Sequence, residues 1–420
     1  MDGLTPTRSI GGHVKREPVL LGSVSVLTAA LLVGCGKTGG DDPSPPAPAV
    51  SVAPSAAPVP GGPPAGVEPE AVTRGAGHAL LTDDSIISLA FGGADNCWLT
   101  AQTLAAPDTP AWKVEQVDGL ALGCAGSPAL SGLTVLLPYG KATTGAGIET
   151  GGAEKGVLAL NLDGTQRWHT AVPGVNTVLG ADDSFVLAFD KRNALPGSSE
   201  KRTTAVLDVA TGKVLWSKPG LRPVGLDDGT VIVTNEKIDK VTALDAATGE
   251  ERWSSPMYTR GSLGLTGTGV VAVPIPADPG DITSYDAKVE LREAKSGTVL
   301  HTEPEAAAFP TCVSDGETAV VCEVRGGGKE ANTIFAYDLG TKKGSWSLPP
   351  TQVKEAGVTV RSMVEGRVFV WTTTQGALVD AATGEQVAHT LPAAPNLVRG
   401  AYGVQNDADA KSFSVYRLTY

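Results

Sequence analysis

The sequence predicts an all-β chain folded as an eight-bladed β-propeller with four antiparallel strands per blade. Three observations predict it. A ten-residue pattern recurs along the chain, its copies are spaced by one four-stranded unit, and the last unit lacks a strand that the first has to spare.

The clearest copies of the pattern are Leu207–Trp216 (LDVATGKVLW), Leu244–Trp253 (LDAATGEERW) and Val379–Ala388 (VDAATGEQVA). Looser copies are Leu162–Trp168, Arg292–His301 and Tyr337–Trp346. Val241–Leu244 alternates as a half-buried strand does. Asp208, Asp245 and Asp380 stand where a short carboxylate bonds the amides of a turn. Gly212, Gly249 and Gly384 supply the positive φ of a hairpin loop with a bulge. The closing Trp offers a large ring for packing. One hairpin is marginal in water, so units of this kind must stack to share a core.

Composition agrees. Short Val/Ile/Thr runs lie between Gly, Asp and Pro, with 52 Gly and 30 Pro in 420 residues, and strong helix signals are scarce. A net charge of −12 with no Lys/Arg stripe argues against nucleic acid as a partner.

The first 34 residues are expected to be a signal peptide. Arg8, Lys15 and Arg16 precede the apolar run Val19–Val33, which suits a signal-peptide core better than a membrane span. The run ends in Leu32-Val33-Gly34-Cys35, which resembles the bacterial lipobox, so Cys35 is expected to carry a diacylglyceryl anchor on the extracytoplasmic face of the cell membrane. Gly36-Lys37-Thr38 ends like a phosphate-binding loop, but Leu31 stands where that loop needs its first glycine. Residues 35–69, rich in Pro, Ala and Gly, read as a disordered tether, which leaves 70–420 for the propeller.

Seven units follow, each read as strands A to D with the recurrent turn between C and D. In the first they are Gly77–Leu81, Ser85–Phe91, Cys97–Leu104 and Ala111–Gln116; in the second A is Leu120–Cys124 and B is Leu133–Tyr139. The fourth is the shortest, with Val224–Leu226, Val231–Thr234 and Val241–Leu244 before Trp253. The anchor positions Trp112, Trp168, Trp216, Trp253, His301, Trp346 and Ala388 are separated by 56, 48, 37, 48, 45 and 42 residues. The long insertions, 141–155, 190–202 and 276–286, all fall between B and C, on one face of a disc. After the seventh unit, Leu397–Val404 and Ser412–Leu418 give A, B and C of an eighth unit without a D strand. Glu70–Thr73 precedes the first A strand where a D strand belongs, and is expected to complete the eighth blade and remove its open edge. The alternative is seven blades with a loose C-terminal hairpin.

The AxDxxTGxxxW pattern resembles the PQQ-like β-propeller repeat. Ala243-Leu244-Asp245 through Trp253 matches it throughout and Ala205 through Trp216 nearly so. That family contains quinoprotein dehydrogenases, the propeller lipoprotein of the bacterial outer-membrane assembly machinery, and many extracytoplasmic proteins that bind no quinone. In the dehydrogenases the resemblance implies an adjacent Cys pair over the cofactor, Ca²⁺ ligands and often a haem motif. Here no two cysteines are adjacent and no C-x-x-C-H occurs, so neither PQQ nor Ca²⁺ is expected.

Other chemistry reads as structural. His169, His301 and His389 fall on outer strands of different blades, too far apart to share a metal at ~2.0–2.1 Å. Asp83-Asp84, Asp182-Asp183 and Asp227-Asp228 recur at the A-to-B turn, as turn chemistry does. Cys97, Cys124, Cys312 and Cys322 are an even set in an exported chain, hence candidate disulfides. Cys312 and Cys322 flank one hairpin in imperfect register, whereas idealised strand ends place Cys97 and Cys124 badly. The expected function is a monomeric, non-catalytic binding or scaffold module for a protein or small ligand. A PQQ-dependent oxidoreductase and a cell-wall or polysaccharide-binding protein are the alternatives.

Overall fold

The computed structural model describes residues 62–93, 96–124, 127–142, 153–191, 202–258, 261–276, 287–306, 309–325, 333–348, 357–407 and 412–420. The signal, Cys35 and most of the tether lie outside them. The described residues contain strands and no helix, arranged as eight antiparallel blades.

Blade 4 shows how sequence makes the unit. Its strands are Arg222–Asp227, Thr230–Thr234, Lys240–Asp245 and Glu251–Pro256, paired in that order. The β-branched run Thr230–Thr234 is buried throughout, as an inner strand covered on both faces must be. The outer strand Gln166–Ala171 of blade 2 alternates instead, because one of its faces meets water. The C-to-D register shifts by one residue between Val206 and Leu207, Ala243 and Leu244, and Ala336 and Tyr337, so the expected bulge is a property of the repeat.

Eight apolar cores lie one between each pair of neighbouring blades. The first joins Leu89 and Leu99 of blade 1 to Leu137 and Leu158 of blade 2. The seventh joins Phe369 and Leu378 of blade 7 to Tyr416 and Leu418 of blade 8, and the eighth joins Val404, Phe413 and Val415 to Leu81 and Ile86 of blade 1. The ring is closed, and the seven-blade alternative is ruled out.

The eighth blade takes Leu397–Arg399, Tyr402–Asn406 and Ser412–Thr419 from the C-terminus and its outer strand from the N-terminus. That outer strand is split. Gly66–Val67 pairs with Leu418 and Thr419, and Thr73–Ala76 pairs with Ser412–Val415. The expected strand Glu70–Thr73 is therefore mostly the excursion between two shorter pieces, and pairing begins inside the segment expected to be tether. Glu68 N–H donates to Arg417 and Val72 N–H to Val415, so four steps on one strand span two on the other. Pro69, which has no N–H to donate, sits within the excursion.

Blade 2 also departs from expectation. Its A strand is two pieces, Leu120–Leu122 and Ala129–Ser131, both on Thr134–Ala142. The break lies opposite Pro138, which cannot donate to the ladder, and Cys124 falls in the loop it creates. In blade 1 the D strand is Ala106–Val114, starting earlier than expected after a short turn.

The N-terminal strap yields a test. A chain starting at Gly77 leaves Ser412–Thr419 as an open edge, and should melt about 10 °C or more below a chain starting at Gly62 and aggregate with concentration. A synthetic peptide of residues 62–77 should restore much of the difference in scanning calorimetry.

Candidate binding surfaces

Antiparallel order places the A-to-B and C-to-D turns at one end of the ring and the B-to-C and D-to-A connections at the other. The first end is tied down turn by turn. In blade 4, Asp245 accepts the amides of Ala247 and Thr248 at 2.9 Å each, and Gly249 holds φ +72°. Asp208 and Asp380 do the same with Thr211 and with Ala382 and Thr383. The Thr211 hydroxyl holds the Asp208 carboxyl below its ordinary range, and the Arg252 guanidinium does so for Asp245.

The Trp anchors join each blade to the next. Trp112 Nε1 donates to Leu162 O at 2.6 Å, Trp168 to Val209 at 2.8 Å, Trp216 to Ala246 at 2.8 Å, Trp253 to Ala294 at 2.7 Å and Trp346 to Ala381 at 2.8 Å. Each acceptor follows the Asp or Glu position of the next blade's turn, or precedes it in blade 2. From Val209 onward, the same peptide unit donates its N–H to the A-to-B turn of its own blade, as Ala246 does to Gly229. The indole then covers the turn glycine. A Cβ on Gly212 would stand 2.5 Å from the Trp168 ring, and one on Gly384 2.8 Å from that of Trp346. His301 takes the ring's place in blade 5. It lies against Gly344 and packs on Phe335 and Tyr337 of blade 6, with Nε2 3.3 Å from Glu303. His169 packs edge-on against Tyr139, and His389 is exposed.

The paired aspartates divide into different environments. Asp182 is a turn acceptor for Ser184 and Phe185, and also reaches Gly229 N of the next blade at 3.3 Å. Asp83 pairs with Arg399, which ties blade 8 to blade 1. Asp227 is different: it is 2% exposed, Oδ1 accepts Gly269 N–H of blade 5 at 2.7 Å, and Oδ2 has no hydrogen-bond partner among the described residues. Burial pushes its carboxyl up to about 7, and the charges of Asp228 and Asp182 add to the effect. Nothing in the sequence separates it from the other pairs, because the separation depends on how closely blade 5 covers it.

The cysteines pair as Cys97–Cys124 and Cys312–Cys322. Cys312 and Cys322 are directly opposed in the A-to-B ladder with Cα atoms 4.1 Å apart, so the register is better than the sequence suggested. Cys97–Cys124 links blade 1 to blade 2 across 5.6 Å between Cα atoms, and the strand break opposite Pro138 is what brings Cys124 there. Among the described residues no three of His, Cys, Asp and Glu gather as a metal would need.

The opposite end carries the long connections, most of whose residues lie outside those described, so the site expected on the insertions is defined here by the strand ends that flank them. A family model covers 74–255 and 237–408, most of the ring. The chain belongs to the family described as outer membrane protein assembly factor BamB. Among solved structures, BamB from Moraxella catarrhalis is similar at 13% identity and a TM-score of 0.51, over 83% of this chain and 99% of that one, a likeness of fold alone. The computationally designed Ika8 protein (14%, TM-score 0.49, 81% and 97% covered) and Sqt1 of Saccharomyces cerevisiae (11%, 0.46, 80% and 93%) are weaker likenesses. No curated protein matches the sequence.

Two substitutions check this account. Gly212→Ala forces a side chain into the left-handed region at about 1–2 kcal/mol and displaces the Trp168 ring at about 1–3 more. Gly119→Ala, at φ +79° with open space around it, should cost the first part alone in urea denaturation. For Asp227 the folded carboxyl titrates near 7 and the unfolded one near the ordinary ~3.9. Between these values the unfolded chain releases a proton that the folded chain keeps. Stability is therefore full below about pH 4, falls as pH rises to about 7, and is level above it. Asp227→Asn should remove that fall, so its melting temperature should gain on the unsubstituted chain from pH 5 to pH 8 in calorimetry.

Proposed function

We propose that this chain is a lipid-anchored, extracytoplasmic propeller that binds a protein partner and catalyses no reaction. Family membership across the ring carries the reading, since the family is described as an assembly factor, a role exercised by contact. The sequence supports the anchor: a basic start, an apolar run, then Leu32-Val33-Gly34-Cys35 and a Pro-rich tether that holds the ring away from the bilayer. The cysteines support the absence of quinone chemistry. Cys97 with Cys124 and Cys312 with Cys322 are 27 and 10 residues apart, so neither pair forms the adjacent disulfide of the quinoprotein dehydrogenases. A closed ring without an open sheet edge supports a monomer.

Cys35→Ala should move the protein from the membrane to the soluble fraction on cell fractionation, and retention on the membrane would sink the anchor. Crosslinking in intact cells followed by mass spectrometry should return the same protein partner in replicate. Consistent failure to find one would count against the binding role.

A further inference from the structure

The net charge of −12 is unevenly spread, and the channel mouth on the long-connection end is cationic. Arg222 opens the innermost strand of blade 4 and Arg361 lies in the innermost strand of blade 7, beside the bulge between Val360 and Ser362. Both are partly buried, and neither guanidinium has an ion-pair or hydrogen-bond partner among the described residues. Burial lowers both, and each is lowered further by a second arginine close by, Arg202 for Arg222 and Arg325 for Arg361. Lys191, which leaves blade 3 at the same end, lowers His78 of blade 1 in the same way, after burial.

The acids at this end do not neutralise the group. Glu323 is fully buried and already engaged, accepting Arg325 Nε at 2.6 Å and Val360 N–H at 3.1 Å, although its charge is felt by Arg361. Asp190 is 1% exposed and has a partner of its own. Asp407 is exposed, and Ser412 donates to it. Half-buried guanidiniums set side by side without carboxylates disfavour the unbound state and favour a ligand that brings negative charge. The two arginine pairs sit on blades 3 and 4 and on blades 6 and 7, three blades apart in a ring of eight, so they flank the channel. A small anion reaches one pair. An extended chain of carboxylates reaches both.

We propose that the channel mouth at the long-connection end is the docking surface for an acidic peptide segment of the partner, lying across the channel from the Arg202–Arg222 pair to the Arg325–Arg361 pair. This rests on the binding role proposed above and names its face and its chemistry.

The test is fluorescence anisotropy of labelled deca-glutamate with the purified full chain, with deca-glutamine as the uncharged control. Saturable binding of deca-glutamate is expected, weakening steeply with salt. Arg222→Gln with Arg361→Gln should weaken it at least tenfold, and the corresponding Lys variants should recover much of the loss. A melting temperature within a few degrees of the parent shows that the ring is intact; if the double Gln variant does not fold, the single variants are used and each should weaken binding about threefold. The inference is overturned if the chain does not bind deca-glutamate, or if the folded variants bind it as the parent does. It is also overturned if citrate competes as well as the peptide at equal concentration, or if phosphatidylglycerol vesicles are preferred. Partner crosslinking that persists while peptide binding fails removes this inference alone; loss of crosslinking removes the binding role itself.

Discussion

The ring depends on one interaction, repeated: a Trp indole that lies over the turn glycine of the next blade and donates to a carbonyl in the same turn. Each bond is neutral and contributes about 1 kcal/mol net. Its weight comes from position. From blade 3 onward the acceptor peptide also donates to its own blade's A-to-B turn, so one peptide unit fixes two hairpins and two blades. A side chain on the glycine would displace the ring and force a strained φ at once, which explains why the motif couples Gly212 and Trp216, residues that never touch the same neighbour.

That device divides the molecule into two ends. The interlocked end has short turns whose polar groups are largely committed to each other, so it holds geometry. The other end is free of the motif, and its strands run on into the long connections. There the arginines at the mouth retain unspent hydrogen-bonding capacity in an otherwise acidic chain. Rigidity at one end is what allows charges on separate blades at the other to keep a fixed spacing, a requirement for recognising an extended partner at low entropic cost.

Most of the architecture was legible in the residues. The strands, the hairpin bulge, the Trp anchors and the borrowed eighth-blade strand follow from periodicity and from a missing element at the C-terminus. The misplaced parts have local causes: Pro69 diverts the closing strand between Gly66–Val67 and Thr73–Ala76, and Pro138 splits the inner strand of blade 2. A proline matters to a ladder through the partner it faces, and a single sequence does not name that partner. The candidate surface was less legible. Arg222 and Arg361 stand in no motif and are 139 residues apart, and their neighbours Arg202 and Arg325 reach them only across blade boundaries.

By itself the sequence determined the repeating unit, because alternation, turn chemistry and a periodic aromatic are local and recur in register. It also determined the count of eight, because a missing strand at one end and a spare one at the other have a single closed solution. Tertiary structure alone decided which members of equivalent sets become different. Among the paired aspartates, Asp227 is sealed under blade 5 while Asp83 meets Arg399. Among the cysteines, Cys124 reaches Cys97 through a broken strand. These outcomes turn on how much solvent and which charges neighbouring blades leave around a group, and that is set by the closing of the ring.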